Sequence, residues 1–313
     1  MRYIDAWDGP LVRELIARDE FFWLDLDGTD AATIAKVGEV FGLHELAIED
    51  SMRFGQRPKL DEYDSFALLV YFGLRAGASV TAPELVEVHM YVHGRGVVTL
   101  RDGDVPELAA LRARVADLPS EHERVIVHRI LDALTDSFFP VLDQLDDEID
   151  RIEDAVLGDV SLDHRNDIFD IKRSLMALRR IVAPQRDLLA RADITIDAVP
   201  GLGEESSVYF RDLYDHMLRI ADMLDTYRDL LAGMMDLHLT TVANRQNEQM
   251  KTLTVIATVF LPLTFVTGFF GQNFGWMVDQ VGSLHAFLTW GIGSLVLSVV
   301  ALVAFFARRG YFR

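Results

Sequence analysis

From Leu253 to Phe270 the chain reads LTVIATVFLPLTFVTGFF without a charge, and a second uncharged run from Leu284 to Ala307 holds only His285 as a titratable group. A hydrocarbon layer about 30 Å thick needs about 17–25 helical residues to cross it, so each run is long enough for one membrane span. Lys251 precedes the first run, and Arg308, Arg309 and Arg313 follow the second. The interval between them, Gln272 to Ser283, has no Lys or Arg and one acid, Asp279. Cations collect on the cytoplasmic side of a span, which predicts a two-pass protein of the cell (inner or plasma) membrane with both termini in the cytoplasm and the loop outside. The competing reading is a buried soluble hairpin, but soluble cores seldom place two such runs at one end.

The remaining sequence narrows the partners. Of 313 residues half are apolar, so a sizeable core is expected, and the formal net charge of -19 argues against nucleic acid and favours attraction of cations. With no cysteine, disulfides, Cys-type zinc sites and thiol chemistry are excluded. The N-terminal thirty residues are acidic and lack an apolar run of signal length, so no secretory leader is expected there.

The pattern predicts an α+β membrane protein: an α/β cytoplasmic domain over 1–115, long helices forming a funnel and stalk over 116–250, and a transmembrane domain over 251–313 with spans about 252–271 and 284–307. Phe21–Leu26 and Phe66–Leu74 read as strands, and Asp30 as the cap of a helix reaching Phe41. Leu85–Leu100 reads as a hairpin turning at His93-Gly94-Arg95-Gly96. His89 and His93 fall on one face of that hairpin; without a third ligand they read as a surface pair and not as a metal site. Beyond Pro106 three long helices are expected, from about Ser120 to Leu157, from Leu162 to Ala192, and from Ser206 directly into the first span. In the first, Leu142, Leu145, Ile149, Ile152 and Val156 repeat at helical steps beside an acidic stripe of Asp143, Asp146, Asp147, Asp150 and Asp154. This is the pattern of an amphipathic helix with a solvated face; concentration of cations near a pore mouth is a secondary reading.

The third helix is the most informative. Along its membrane end Asn247, Met250, Thr254, Ala257, Leu261, Thr264, Gly268 and Gly271 recur at alternating steps of three and four, a period of about 3.5. Most are small or weakly polar, whereas Val255, Val259, Phe260, Phe265 and Phe269 between them are bulky and suit lipid or the second span. Small residues allow membrane helices to approach closely, so this seam packs helices, or lines an axis through which ions pass. Two spans cannot enclose a pore, so conduction requires a homo-oligomer with one copy of the helix from each subunit.

These residues resemble those of a known family. Asn247-Glu248-x-Met250-Lys251-x-Leu253-Thr254, Phe260-Leu261-Pro262-Leu263-Thr264-Phe265 and Gly268-Phe269-Phe270-Gly271-Gln272-Asn273-Phe274 are similar to the pore helix and Gly-x-Asn signature of the CorA divalent-cation (magnesium/cobalt) channels. The resemblance continues upstream through Trp23-x-Asp25-Leu26, Phe41-Gly42-Leu43-His44, Ile48-Glu49-Asp50, Gln56-Arg57-Pro58-Lys59 and Tyr209-Phe210-Arg211-Asp212-x-Tyr214-Asp215-His216, covering nearly the whole chain.

The resemblance implies a homopentamer in a lipid bilayer with the first spans lining the pore. It also implies a selectivity filter of Gly271, Gln272 and Asn273, with Asn273 as the ion-facing amide. Gly268 and Gly271 would leave the aperture open, Asn247 and Thr264 would add polar rings, and Met250, Leu253 and Leu261 would form a hydrophobic girdle, with Ala257 also on the lining. A neutral amide ring suits hydrated Mg²⁺, which gives up its water reluctantly. Asp212 matches an acid that binds regulatory Mg²⁺ between subunits; its plain alternative is a helix-surface carboxylate. No partner acid stands out, since Gly73–Thr81 carries no carboxylate and Glu84 and Glu87 are the nearest. Magnesium members usually have Met where this chain has Gln272, and Pro-Glu where it has Val278-Asp279, so a Zn²⁺ transporter of the ZntB type is an alternative, as is a non-conducting membrane-anchored sensor. Mg²⁺, with Co²⁺ or Ni²⁺, is the expected cargo and no cofactor is expected. An enzyme is not expected, because the sequence has no phosphate-binding loop and no nucleophile motif.

Overall fold

Apolar runs form the four inner strands of a six-stranded sheet and two short segments form its edges: β1 (Arg2–Ile4), β2 (Phe22–Asp27), β3 (Lys59–Glu62), β4 (Ala67–Leu74), β5 (Leu85–His93) and β6 (Gly96–Arg101), with β1 and β3 at the edges. Their order is β1-β2-β6-β5-β4-β3, with β1, β2 and β6 parallel and the remaining pairs antiparallel. The computed structural model describes residues 1–75, 77, 79–115, 123–158, 165–195, 207–272 and 274–309. The chain separates into two units, Met1–Asp236 and Leu237–Arg313, and the sheet belongs to the first.

Successive strand residues point to opposite faces, and here both faces are covered. Phe22, Leu24, Leu68, Val70 and Val98 pack under helices α1 (Gly9–Ala17), α2 (Ala31–Phe41) and α3 (Glu45–Met52). Trp23, Tyr71, Met90 and Val97 share the other core with α4 (Pro106–Arg114), α5 (Glu123–Asp136), α6 (Phe139–Gly158), α7 (Arg165–Thr195) and the start of α8 (Ser207–Phe270). Every residue of β4 and β6 is buried, as expected of strands enclosed on two sides. The expected cap is present: Asp30 accepts from the Thr33 N–H at 2.7 Å, and Gly42, at φ +63°, ends α2 in the left-handed region that favours glycine.

The hairpin turns where the sequence places it, with His93 paired to Gly96, but it is no surface pair of histidines. His89 is fully buried, with Nε2 2.7 Å from Glu87 and Nδ1 2.8 Å from Ser51. The sheet is covered on that side by α3, which the periodicity of β5 alone does not reveal. The helix expected over Ser120–Leu157 is two helices, α5 and α6, separated at Ser137–Phe138. Pro140 accounts for the break: as the second residue of α6 it lacks the N–H that a continuous helix would bond to the carbonyl of Asp136. Ser137 uses the interruption, accepting from Leu74 N at 2.8 Å and donating to Leu134 O at 2.6 Å. On α6 the apolar row Leu142, Leu145, Ile149, Ile152 and Val156 is buried and all five stripe aspartates are exposed.

In the second unit α8 ends at Phe270, as expected of the first span, and α9 (Gly275–Val281) occupies the interval expected as loop. The second span starts with α10 (Leu284–Ala286), passes through a π-helical segment, Phe287–Ile292, and continues as α11 (Gly293–Arg308). Both spans expose large apolar side chains, Leu261, Phe265, Trp290 and Leu297 each by about 70%. Contiguous apolar surface of this extent requires lipid or further protein.

Candidate ion path and cation cluster

The helical turn decides which side chains of the first span share a face. At about 100° per residue, the row Asn247, Met250, Thr254, Ala257, Leu261, Thr264, Gly268 and Gly271 forms one stripe, and all eight are exposed. Val255, Thr258, Val259, Pro262, Leu263, Val266 and Phe270 are half-buried and lie on roughly the opposite side. Leu253 flanks the exposed stripe and is itself exposed. Phe260, Phe265 and Phe269 are exposed as well, whereas Val255 and Val259 are half-buried.

Two of the eight residues of the stripe are threonines, which bond back to the helix as Thr252, Thr258 and Thr267 off the stripe also do. Thr254 Oγ1 donates to Met250 O at 2.7 Å and Thr264 Oγ1 to Phe260 O at 2.9 Å. With the proton held inside the helix, each hydroxyl oxygen faces outward as an acceptor only, the polarity that suits a cation or its water. A Cβ added at Gly268 would meet nothing within 4 Å, so no packing within this chain calls for glycine there. Gln272 borders a cavity of about 260 Å³ with Phe270, Met277, Val281, Phe287 and Gly291. Asn273, the central residue of the predicted filter, lies outside the described residues.

A second constellation occupies the first unit. Residues four apart share a helix face, and His128, Asp132 and Asp136 line one side of α5 while Asp212 and His216 line one side of α8. Two groups of three place their donor atoms within 4.8 Å of one another: His128, Asp132 and Asp212, and Asp132, Asp136 and His216. His128 Nε2 is 3.9 Å from Asp212 Oδ2, and His216 Nδ1 is 3.6 Å from Asp132 Oδ1 and 4.0 Å from Asp136 Oδ1. Burial pushes the His128 pKa down against the pull of Asp132 and Asp212, and burial followed by the neighbouring Asp132 charge pushes Asp136 up.

Asp212 is therefore placed among donors of its own chain, on α5, which the sequence reading missed. The available signal was the repeat His-x3-Asp-x3-Asp over 128–136 set against Asp-x3-His over 212–216. Glu84 and Glu87 are engaged elsewhere: Glu84 pairs with Arg75 at 3.1 Å, and Glu87 accepts from Gly55 N, Gln56 N and the His89 ring.

Comparison with known proteins agrees with the fold. Residues 18–309 match the model of the CorA-like Mg²⁺ transporter protein family. The chain is 32% identical to the cobalt/magnesium transport protein CorA of Thermotoga maritima over 288 residues, 90% of this chain and 79% of that one. It is 32% identical to the putative metal ion transporter YfjQ of Bacillus subtilis over 93% of this chain and 90% of that one. The solved structure of the CorA magnesium transporter of Methanocaldococcus jannaschii superposes with a TM-score of 0.80 at 22% identity, covering 92% and 90% of the two chains, a likeness of fold. Together with the two apolar helices that end the chain, the match over 18–309 shows that this protein belongs to the CorA family of divalent-cation transporters.

Proposed function

We propose that the chain assembles as a homopentamer in the cell membrane, with both termini cytoplasmic, and conducts Mg²⁺, and with it Co²⁺ or Ni²⁺, along an axis lined by α8. The observation that carries this reading is the fully exposed stripe from Asn247 to Gly271 on the side of α8 away from its half-buried residues. Six of its eight residues are small or polar, Met250 and Leu261 being the exceptions, a composition that suits lipid poorly, whereas symmetry-related copies of it enclose a narrow path. Asn273 supplies a ring of amides at the outer mouth that hydrogen-bonds the water shell of the ion. Met250, Leu253 and Leu261 form the apolar constriction that closes by dewetting. Asp212 takes part in a cytoplasmic cation site that adjusts the open and closed populations.

Purified protein in liposomes is expected to pass Mg²⁺, and Asn273→Ala to lower the flux or abolish its preference among divalent ions. Competition in the same vesicles separates the cargoes: Zn²⁺ flux that Mg²⁺ does not inhibit would establish the zinc reading, which the departure at Gln272 favours. Vesicles tight to every divalent ion would replace conduction with the sensor reading.

A further inference from the structure

The buried polar chain between β5 and α3 has a proton count that its hydrogen bonds fix. Tyr91 OH donates its one proton to Ala47 O at 2.7 Å, and burial pushes the Tyr91 pKa up, so that proton is retained. Ser51 Oγ lies 2.6 Å from the Tyr91 oxygen and is therefore the donor of that contact. With its proton spent, Ser51 Oγ accepts from His89 Nδ1 at 2.8 Å. The other ring nitrogen, Nε2, faces Glu87 Oε1 at 2.7 Å, and an ionised carboxylate only accepts. We infer that His89 carries both ring protons, as an imidazolium enclosed with the Glu87 carboxylate, and that this pair is a pH-sensitive latch on the segment that follows α3.

The remaining bonds of Glu87 identify it as the ionised partner. Its Oε2 accepts from Gly55 N at 2.5 Å and its Oε1 from Gln56 N at 3.0 Å. Were Oε1 protonated, it would have to donate to the ring while accepting from Gln56, and the negative charge that strengthens both amide bonds would be gone. His89 is fully buried and Glu87 nearly so. Buried charges persist where they are paired and hydrogen-bonded, and here both ring nitrogens and both carboxylate oxygens have partners. The segment that Glu87 holds has a defined shape of its own, since Gly55 sits at φ +107°, a conformation that glycine adopts without strain.

The surroundings leave the pair to balance itself. Val70 of β4 and Leu100 of β6 flank His89 in the sheet, and the Phe54 ring lies 5.0 Å from the imidazole. Asp50 of α3 and Tyr63 act on the far end of the chain, at Tyr91, and Asp50 is matched by Lys59 of β3 at 2.6 Å, which also pairs with Asp61. The charge that faces the ring is that of Glu87. Loss of the Nε2 proton would leave a lone pair against a carboxylate in a buried site, where unpaired polar atoms are most costly. Glu87, the less enclosed of the two, then turns away and releases Gly55 and Gln56. The latch is closed while the proton is bound and opens as the pH rises.

The test uses the full-length, isotope-labelled protein in liposomes, with the His89 ring assigned by magic-angle-spinning NMR through its neighbours Val88 and Met90. Both ring nitrogens should be protonated at neutral pH, and Nε2 should lose its proton on the alkaline side. Over the same range, hydrogen exchange corrected for the intrinsic rate should show protection at Gly55 and Gln56 falling by about tenfold or more, the scale expected when hydrogen bonds to a charged group are lost. Protection in β6 should not change. Glu87→Gln replaces the carboxylate with an amide that can donate to Nε2, so its His89 should be protonated at Nδ1 alone at neutral pH, and protection at Gly55 and Gln56 should no longer depend on pH. A singly protonated His89 in the wild type at neutral pH overturns the imidazolium. A doubly protonated ring with protection at Gly55 and Gln56 indifferent to pH, or the same pH dependence in Glu87→Gln, overturns the latch.

Discussion

Asp25 shows at the residue scale how one side chain orders distant parts of the fold. Buried in β2, it accepts from Thr99 Oγ1 at 2.6 Å, from Arg101 Nε at 3.2 Å and from Arg112 Nη1 at 3.1 Å. Two strands and α4 therefore meet on one carboxylate. Replacing Asp25 with Ala removes the one buried carboxylate that Arg101 pairs with and leaves it Asp27 and Asp104, both about half exposed; breaking a buried pair costs about 3–5 kcal/mol, and chemical unfolding of the purified protein should show a loss toward the lower end of that range. Trp23-x-Asp25-Leu26 is visible in the sequence as a family motif, but its partners are not, because Arg101 and Arg112 lie 76 and 87 residues further along. The same limit applies to Asp212. Its motif is readable, while its neighbours on α5 become neighbours only when two helices pack.

At the scale of elements, periodicity was most reliable where a single face is buried. On α6 the apolar row is inside and the aspartates outside, so Leu145→Ala should cost about 2–5 kcal/mol. Asp154→Ala should stay within about 0.5 kcal/mol, and thermal unfolding of the two variants side by side measures the contrast. Were the stripe a structural ion site, Asp154→Ala would instead rival Leu145→Ala. Periodicity misled where covalent geometry intervened: the apolar repeat runs on past Ser137, yet Pro140 divides the helix. The short elements β1, β3, α1 and α3 were not read from the sequence. β1 and β3, of three and four residues, are too short to show a repeat, whereas α1 carries a local signal that was passed over, Asp8 accepting from the Leu11 N–H just ahead of an apolar pair, Val12 and Leu15.

At the scale of the molecule the two units have different solvents. The first has apolar cores on both faces of its sheet, whereas the second turns its apolar side chains outward. A chain ending at Asp236 should accordingly stay soluble without detergent and give the circular dichroism of a mixed α/β protein, and residues 237–313 should require detergent or lipid; aggregation of the shorter chain would show that its fold depends on the membrane segment. By itself the sequence determined the two apolar spans, the longer strands and the stripe on α8, because these follow from the local spacing of apolar residues and from the period of helix and strand. Tertiary structure decided that His89 is enclosed, that Glu87 is engaged in the first unit, and that two histidines and three aspartates converge between α5 and α8. Those outcomes depend on contacts between segments far apart in the chain, and no local repeat encodes which distant side chains will meet.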